Sequence, residues 1–186
     1  MAERGTDQVL ERLKHGNARF LERVRADEPR RAELARGQQP FAIVLGCADS
    51  RVAPEIVFDT GLGELFVVRV AGNVADTASI ASIEYAVAHL GTRLIIVLAH
   101  ESCGAVGAAL EGGDAGRNLN QLLEHIAPAV QAAGESDVNA VARRNARLSA
   151  ERLTSESEIL RKAALQDGLR IVTAFFHFTT GAVEFD

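Results

Sequence analysis

Phe41-Ala42-Ile43-Val44-Leu45-Gly46-Cys47-Ala48-Asp49-Ser50-Arg51 carries the pattern on which the fold turns. Its first half is a short apolar run that closes on a glycine, as expected of a strand buried on both faces. Leu65-Phe66-Val67-Val68-Arg69-Val70, introduced by the turn Gly61-Leu62-Gly63, is a second such run, and Leu94-Ile95-Ile96-Val97-Leu98-Ala99 is a third. Leu169 to Phe176 reads as a fourth strand. Thr179-Thr180-Gly181 then turns the chain into Ala182-Val183-Glu184-Phe185, an edge strand antiparallel to the fourth.

Helical patterns fill the intervals. Asp76 or Thr77 caps a helix running to about Leu90, with Ile80, Ile83, Ala86 and Val87 on one face and Gly91 at its end. Gly104 to Leu110 is rich in Ala and Gly and reads as helix. Residues 118–133 and 137–166 read as two more, with Pro128 kinking or dividing the first and Gly168 ending the second. Strands alternating with helices predict an α/β domain. Its central sheet is mainly parallel, with about five strands, the last an antiparallel edge, and helices on its flanks.

Working outward, Val9, Leu10, Leu13, Phe20, Leu21 and Val24 recur at helical spacing, interrupted near Gly16. They predict one or two amphipathic helices in an N-terminal arm over residues 1–36. The charged stretch from Arg25 to Pro40 reads as a loop holding a short helix, Arg30–Arg36, and an α/β core follows over 41–186. With 186 residues the chain suits one domain, residues 1–186. Apolar residues make up 47% and charged residues 24%, with a net charge of −5 and no extended basic block, so nucleic acid is not an expected partner. Met1-Ala2-Glu3-Arg4-Gly5 leads into polar residues rather than an apolar signal region, and no apolar run is long enough to span a bilayer. The expectation is a cytoplasmic, reducing location without a membrane partner. Two lone cysteines there point to metal binding or catalysis rather than a structural disulfide.

Those cysteines sit in chemically matched turns. Cys47 ends the first strand, and His100-Glu101-Ser102-Cys103-Gly104 follows the third. In mainly parallel sheets the functional loops lie beyond the carboxyl ends of the strands, so residues far apart in sequence can share one site. Cys47, His100 and Cys103 make a three-ligand soft set suited to zinc, with one position left for water. Asp49 offers an acceptor that orients a reacting oxygen, or a fourth ligand that closes the site. Arg51 can pair with it in bidentate fashion and keep it ionised. Each piece alone has a plainer reading, since cysteines are often buried apolar side chains and His-x-x-Cys recurs by chance. Four matched residues at two strand ends favour the metal. Phe175, Phe176 and Phe178 read as core or interface, and Arg143, Arg144 and Arg147 as a solvated helix face. Gly61-x-Gly63 is too short for a dinucleotide fingerprint.

Cys47-Ala48-Asp49-Ser50-Arg51 followed by His100-x-x-Cys103-Gly104 resembles the β-class carbonic anhydrases. The similarity extends through Phe66-Val67-Val68-Arg69, Ala71-Gly72-Asn73 and Ser82-Ile83-Glu84-Tyr85-Ala86-Val87, with Gly16-Asn17-x-Arg19-Phe20 and Thr180-Gly181-x-Val183-Glu184-Phe185 near the two ends. It is dense from Gln38 to Val106 and patchy from 110 to 167. The resemblance implies reversible hydration of CO2 to bicarbonate and a proton by a zinc-bound hydroxide, with one zinc ion per chain. In that pattern Cys47, His100 and Cys103 match the metal ligands, and Asp49 and Arg51 match the catalytic dyad, Asp49 becoming a fourth ligand in some members. Gln38, Phe66, Tyr85 and Gly104 match substrate-pocket positions of the plant-type subclass. The resemblance also implies a homodimer or homotetramer. Ala99, Val70, Thr173, Phe176 and His177 depart from the family pattern without touching the metal set.

Two other functions use the same residues. A hydrolase of carbonyl sulfide or carbon disulfide needs the same centre behind a pocket of different width. A non-catalytic zinc protein or a thiol redox protein needs the cysteines but has no use for the Asp49–Arg51 pair. His15, His89, His125 and His177 are proton-shuttle candidates by residue type alone.

Overall fold

A computed structural model describes residues 6–25, 32–134 and 137–186. Two units divide the chain, Met1–Gln38 and Gln39–Asp186. In the first, α1 (Thr6–Arg25) is one unbroken helix. Gly16 therefore lies within it rather than interrupting it. A glycine inside a helix costs only about 1 kcal/mol relative to alanine, and a Lys14–Glu11 pair at 2.7 Å spans the preceding turn. Of the short helix expected over 30–36, residues 32–34 are helical and residues 30 and 31 lie outside the described ones.

The second unit is built on a five-stranded sheet in the order β2-β1-β3-β4-β5. Its strands are β1 (Ala42–Gly46), β2 (Leu65–Arg69), β3 (Leu94–His100), β4 (Arg170–Phe176) and β5 (Val183–Phe185). The first four run parallel, and β5 is antiparallel to β4, pairing Val183 with Phe176. β1 is buried throughout and β3 almost so, which their unbroken apolar runs require. β2 differs from the expectation of a strand buried on both faces. It lies at the sheet edge and is only half-buried, with Arg69 exposed at its end. Gly46 pairs with Leu98 across β1 and β3. Cys47 and His100 thus emerge from adjacent strands at the same end of the sheet.

The helices are α2 (Pro54–Val57), α3 (Thr77–His89), α4 (Gly104–Glu111), α5 (Arg117–Ala133), α6 (Val138–Glu156) and α7 (Glu158–Gln166), with a short 3-10 turn at Ala71–Asn73. Asp76 caps α3 by accepting from the Ser79 amide at 2.7 Å. α5 runs on through Pro128 without dividing. The backbone bond that proline removes is offset by packing on both sides of it, since Ile126 and Ala129 are fully buried. The single helix expected over 137–166 is in fact α6 and α7, parted at Ser157, whose backbone is extended (φ −119°, ψ 118°). The buried Ser157 hydroxyl accepts from the Leu160 amide at 3.0 Å and donates to Glu84 Oε1 at 2.6 Å. One serine thus starts α7 and anchors it to α3.

Ile43, Leu45, Ile83, Ile95, Leu98, Ile126, Leu153 and Leu160 fill the core around the sheet. Phe175 joins it, as expected of a core phenylalanine, while Phe176 and Phe178 are half-buried against it. Of the arginines expected to form a solvated face, Arg147 is exposed but ion-paired, and Arg143 is half-buried. Arg143 donates to Glu184 at 2.6 Å and lies 3.9 Å over the Phe175 ring, and Arg147 donates to Asp186 at 3.2 Å. They tie α6 to the C-terminal strands.

Replacing Ser157 by alanine strands the buried Leu160 amide and removes a donor from Glu84. We expect Ser157→Ala to lose about 1–3 kcal/mol in urea unfolding, with secondary-structure content unchanged by circular dichroism.

Candidate metal centre

Each functional side chain here is placed by an element end. Cys47 is the first residue past β1, His100 the last of β3, and Cys103 the residue that caps α4. One ligand atom from each of these three lies within 4.8 Å of the others. The sulfurs of Cys47 and Cys103 are 3.9 Å apart. Two sulfurs bound about 2.3 Å from one tetrahedral zinc ion stand about 3.8 Å apart, so the observed spacing fits that ion. His100 Nδ1 lies 2.8 Å from the Glu101 carbonyl oxygen, to which it donates. That leaves Nε2 as the nitrogen with a free lone pair. His100 is 0% exposed, and Nε2 is a buried polar atom with no hydrogen-bond partner among the described residues. An orphaned buried acceptor beside two buried thiols is what a metal site presents to its ion.

The thiols influence one another. Cys47 is pulled down to about 4, first by the hydrogen bond from the Cys103 thiol and further by His100 and the Gly72 amide, against the opposing effect of burial. Cys103 is pushed up, chiefly by the same partner and then by burial. Burial is the largest influence on His100 and pulls it down, but Cys47, the Glu101 carbonyl and Asp49 together outweigh it and raise it.

Asp49 and Arg51 meet as a bidentate pair. Arg51 Nε donates to Asp49 Oδ1 at 3.0 Å, Nη2 to Oδ2 at 2.7 Å, and the Arg51 amide to Oδ1 at 2.9 Å. The Arg51 side chain is the first cause that lowers Asp49 to about 2, so the carboxylate stays ionised throughout the neutral range. Its Oδ2 lies 3.9 Å from His100 Nε2, placing the dyad beside the ligand set. Arg51 also stacks 4.4 Å over the Phe178 ring and borders a cleft of about 300 Å³ with Ser50, Ile56 and Phe176.

Phe66, Tyr85, Gly104 and Gln38 are the remaining candidate residues. Phe66 and Tyr85 pair with each other, ring centres 6.4 Å apart, and Tyr85 is exposed. Gly104 opens α4 next to Cys103. Gln38 belongs to the other unit, where it is exposed.

Several residues that shape the centre carried no assigned role in the ligand pattern. Arg69 donates to the Cys47 carbonyl at 2.8 Å and to the Asp49 carbonyl, fixing the first turn from β2. The Gly72 amide reaches Cys47 Sγ at 3.3 Å. Gly72 has φ +71°, and a Cβ there meets Ile126 Cδ1 at 2.7 Å, so glycine alone fits. In the second turn Ser102 adopts φ 50°, a left-handed conformation that costs a serine about 1 kcal/mol or more. A charged residue ending an apolar strand, as at Arg69, was the available sequence signal. The turn residues gave none.

Glu101 faces away from the ligands. It accepts from the Phe178 amide at 2.7 Å and pairs with His177 Nδ1 at 3.1 Å. His177 also meets Glu184 at 3.4 Å. His177 thereby sits between two carboxylates, of which Glu101 holds the C-terminal hairpin onto the second metal turn.

The fold and ligand set define an α/β metalloprotein with a Cys-His-Cys centre of the zinc type. A family model described as carbonic anhydrase matches residues 42–183. The carbonic anhydrase of Mycolicibacterium smegmatis is 40% identical over 187 residues, covering 92% of this chain and 89% of its own. Carbonic anhydrase 2 of Mycobacterium tuberculosis is 52% identical over 127 residues, and the match spans 63% of this chain and 61% of that protein's length. A tetrameric β-carbonic anhydrase from Sordaria macrospora superposes with a TM-score of 0.87 at 26% identity, covering 96% of each chain. The chain belongs to the carbonic anhydrase family, in its β class. Zinc is the metal of that class, and Cys47, His100 and Cys103 are the residues positioned for it.

The hairpin contacts have a pH signature. His177 is the first cause that holds Glu101 below the usual carboxylate range, and Arg143 the first that holds Glu184 there. A carboxyl lowered on folding stabilises the fold above its unfolded value of about 4.3 and ceases to as pH falls through the folded value. The Tm deficit of Glu101→Gln against the parent protein is therefore expected to be largest near pH 7. It should shrink as both are melted nearer pH 4.

Proposed function

We propose that this protein catalyses the reversible hydration of CO2 to bicarbonate and a proton, with one zinc ion held by Cys47, His100 and Cys103. The observation that carries this reading is the Asp49–Arg51 pair set 3.9 Å from the unpartnered His100 nitrogen. A purely structural zinc site or a redox dithiol has no need of an ionised carboxylate fixed at that place. Bound zinc supplies Lewis-acid activation of a water molecule near neutral pH.

The chain's own residues do the rest. Asp49 has both oxygens engaged by Arg51, so it serves as an acceptor in the pocket rather than as a fourth ligand. Its Oδ2 takes a hydrogen bond from the reacting water and turns that oxygen's remaining lone pair toward CO2. Arg51 keeps the acceptor charged and aimed, since a carboxylate lowered to about 2 is unprotonated at working pH. Arg69 and the Gly72 amide fix the strand end on which Cys47 and Asp49 ride. Phe66, Tyr85, Gly104 and Gln38 are assigned to the substrate pocket on the strength of the family pattern. The aromatic rings of Phe66 and Tyr85 suit CO2, a small nonpolar molecule that needs little polar recognition.

The assembly we propose is a homodimer or homotetramer in the cytoplasm. In support, the Sordaria macrospora relative is tetrameric, and among the described residues no helix is long and apolar enough to cross a membrane.

Stopped-flow CO2 hydration with zinc-loaded protein is the direct test, and a rate no faster than buffer alone between about pH 6.5 and 9 rules the activity out. Sulfide release from carbonyl sulfide outpacing CO2 hydration reassigns the substrate. We expect Asp49→Asn to retain a full zinc complement while kcat falls by about 10²-fold or more. Cys103→Ser is expected to lose the metal itself, read by atomic absorption.

A further inference from the structure

One helix holds the second ligand-bearing turn and also the 3-10 turn Ala71–Asn73, whose Gly72 amide meets Cys47. Asn139, in the first turn of α6, accepts from the Ser102 amide at 2.9 Å. Ser102 lies between His100 and Cys103, and Arg51 Nη2 holds its carbonyl from the other side at 3.2 Å. Further along α6, Asn145 donates from Nδ2 to the Gly72 carbonyl at 2.7 Å. That glycine's own amide points to Cys47 Sγ at 3.3 Å. Each grip falls where the backbone enters the left-handed region, at Ser102 (φ 50°) and at Gly72 and Asn73 (φ 71° and 44°). Asn145 is 1% exposed and sits among the buried residues Val141, Ala142, Ala146 and Ser149. A buried carboxamide on such a face demands a partner, and the partner it has is the carbonyl of the residue whose amide reaches the metal ligand.

We propose that Asn139 and Asn145 are positioning residues for the metal, through which the helix α6 fixes the second ligand-bearing turn relative to the Ala71–Asn73 turn that meets Cys47. This rests on the reading of Cys47, His100 and Cys103 as zinc ligands. The two carboxamides work in opposite senses. Ser102 N–H can only donate, so Asn139 is used as an acceptor. Gly72 C=O can only accept, so Asn145 is used as a donor. An aspartate therefore replaces Asn139 in kind, whereas a leucine of similar shape at 145 keeps the packing and loses the bond.

The test is zinc affinity by competition with the colorimetric chelator pyridylazoresorcinol, together with thermal melting of the zinc-free proteins. Loss of such an outer contact typically weakens metal binding by about 10–100-fold. That is the effect expected for Asn139→Ala and for Asn145→Leu, with Asn139→Asp restored to within about threefold of the parent. The half-buried Asn139 pair of variants keeps the comparison readable if Asn145→Leu folds poorly. Variants that melt earlier yet bind zinc as tightly as the parent overturn the proposal, because the amides then serve only the fold. Equal zinc loss in Asn139→Ala and Asn139→Asp overturns the acceptor role. A parent protein that holds no more zinc than Cys103→Ser overturns the metal assignment beneath it as well.

Discussion

Two thiols and an imidazole nitrogen brought within 4.8 Å of one another, in a pocket where all three side chains are buried, are the constraint on which this structure depends. Burying such groups without partners is costly, and the His100 Nε2 atom has none among the described residues. The fold meets the constraint through the sheet. Adjacent parallel strands β1 and β3 deliver Cys47 and His100 to the same end of the sheet, and the turn into α4 returns Cys103 to the same point. Long-range placement is thus set by backbone ladders that are themselves inaccessible to water, which makes the ligand spacing a property of the core rather than of a mobile loop.

Electrostatics then separates the roles of the acidic and sulfur ligands. An aspartate two residues from Cys47 is a natural fourth ligand for zinc. Arg51 competes for it with three hydrogen bonds, two from the guanidinium and one from the amide. A planar guanidinium matches both carboxylate oxygens at once, which lysine cannot do. On the proposed reading, the balance between Arg51 and the metal decides whether Asp49 orients the reacting water or closes the site. In this structure the carboxylate lies with Arg51.

Much of this was legible in the chain. The apolar runs ending at Gly46 and Ala99 located two central strands because burial on both faces leaves an unbroken apolar signature. The ligand pair at their ends followed from soft-metal chemistry. What stayed hidden has physical reasons. β2 carries the same apolar run but lies at the edge, since a run of Leu, Phe and Val does not say how many neighbours a strand has. The break at Ser157 sits inside a helical pattern, where a serine signals a cap only once its hydroxyl is seen bonded to Leu160 and Glu84. Pro128 was expected to kink or divide α5, and the helix runs on undivided because tertiary packing at Ile126 and Ala129 outweighs one missing backbone bond. Arg143 and Arg147 read as solvent-facing because their partners, Glu184 and Asp186, come from the far end of the chain.

α6 shows why the stretch of weakest family resemblance is not the least important. Asn139, Arg143 and Arg147 recur every four residues, which puts them in one stripe along the helix. That stripe meets, in turn, the Ser102 amide, Glu184 and Asp186. Asn145 lies on the buried face of the same helix and reaches Gly72. One rod of 19 residues therefore contacts the second metal turn, the Ala71–Asn73 turn beside Cys47 and the C-terminal hairpin, which in turn reaches back to Glu101 through His177. Only a few polar atoms on that rod make these contacts, and the intervening residues answer merely to helix propensity and packing volume. A family pattern is loose in such a segment because few of its side chains are chemically constrained. The ones that are constrained look like ordinary asparagines and arginines until the partners they hold are in view.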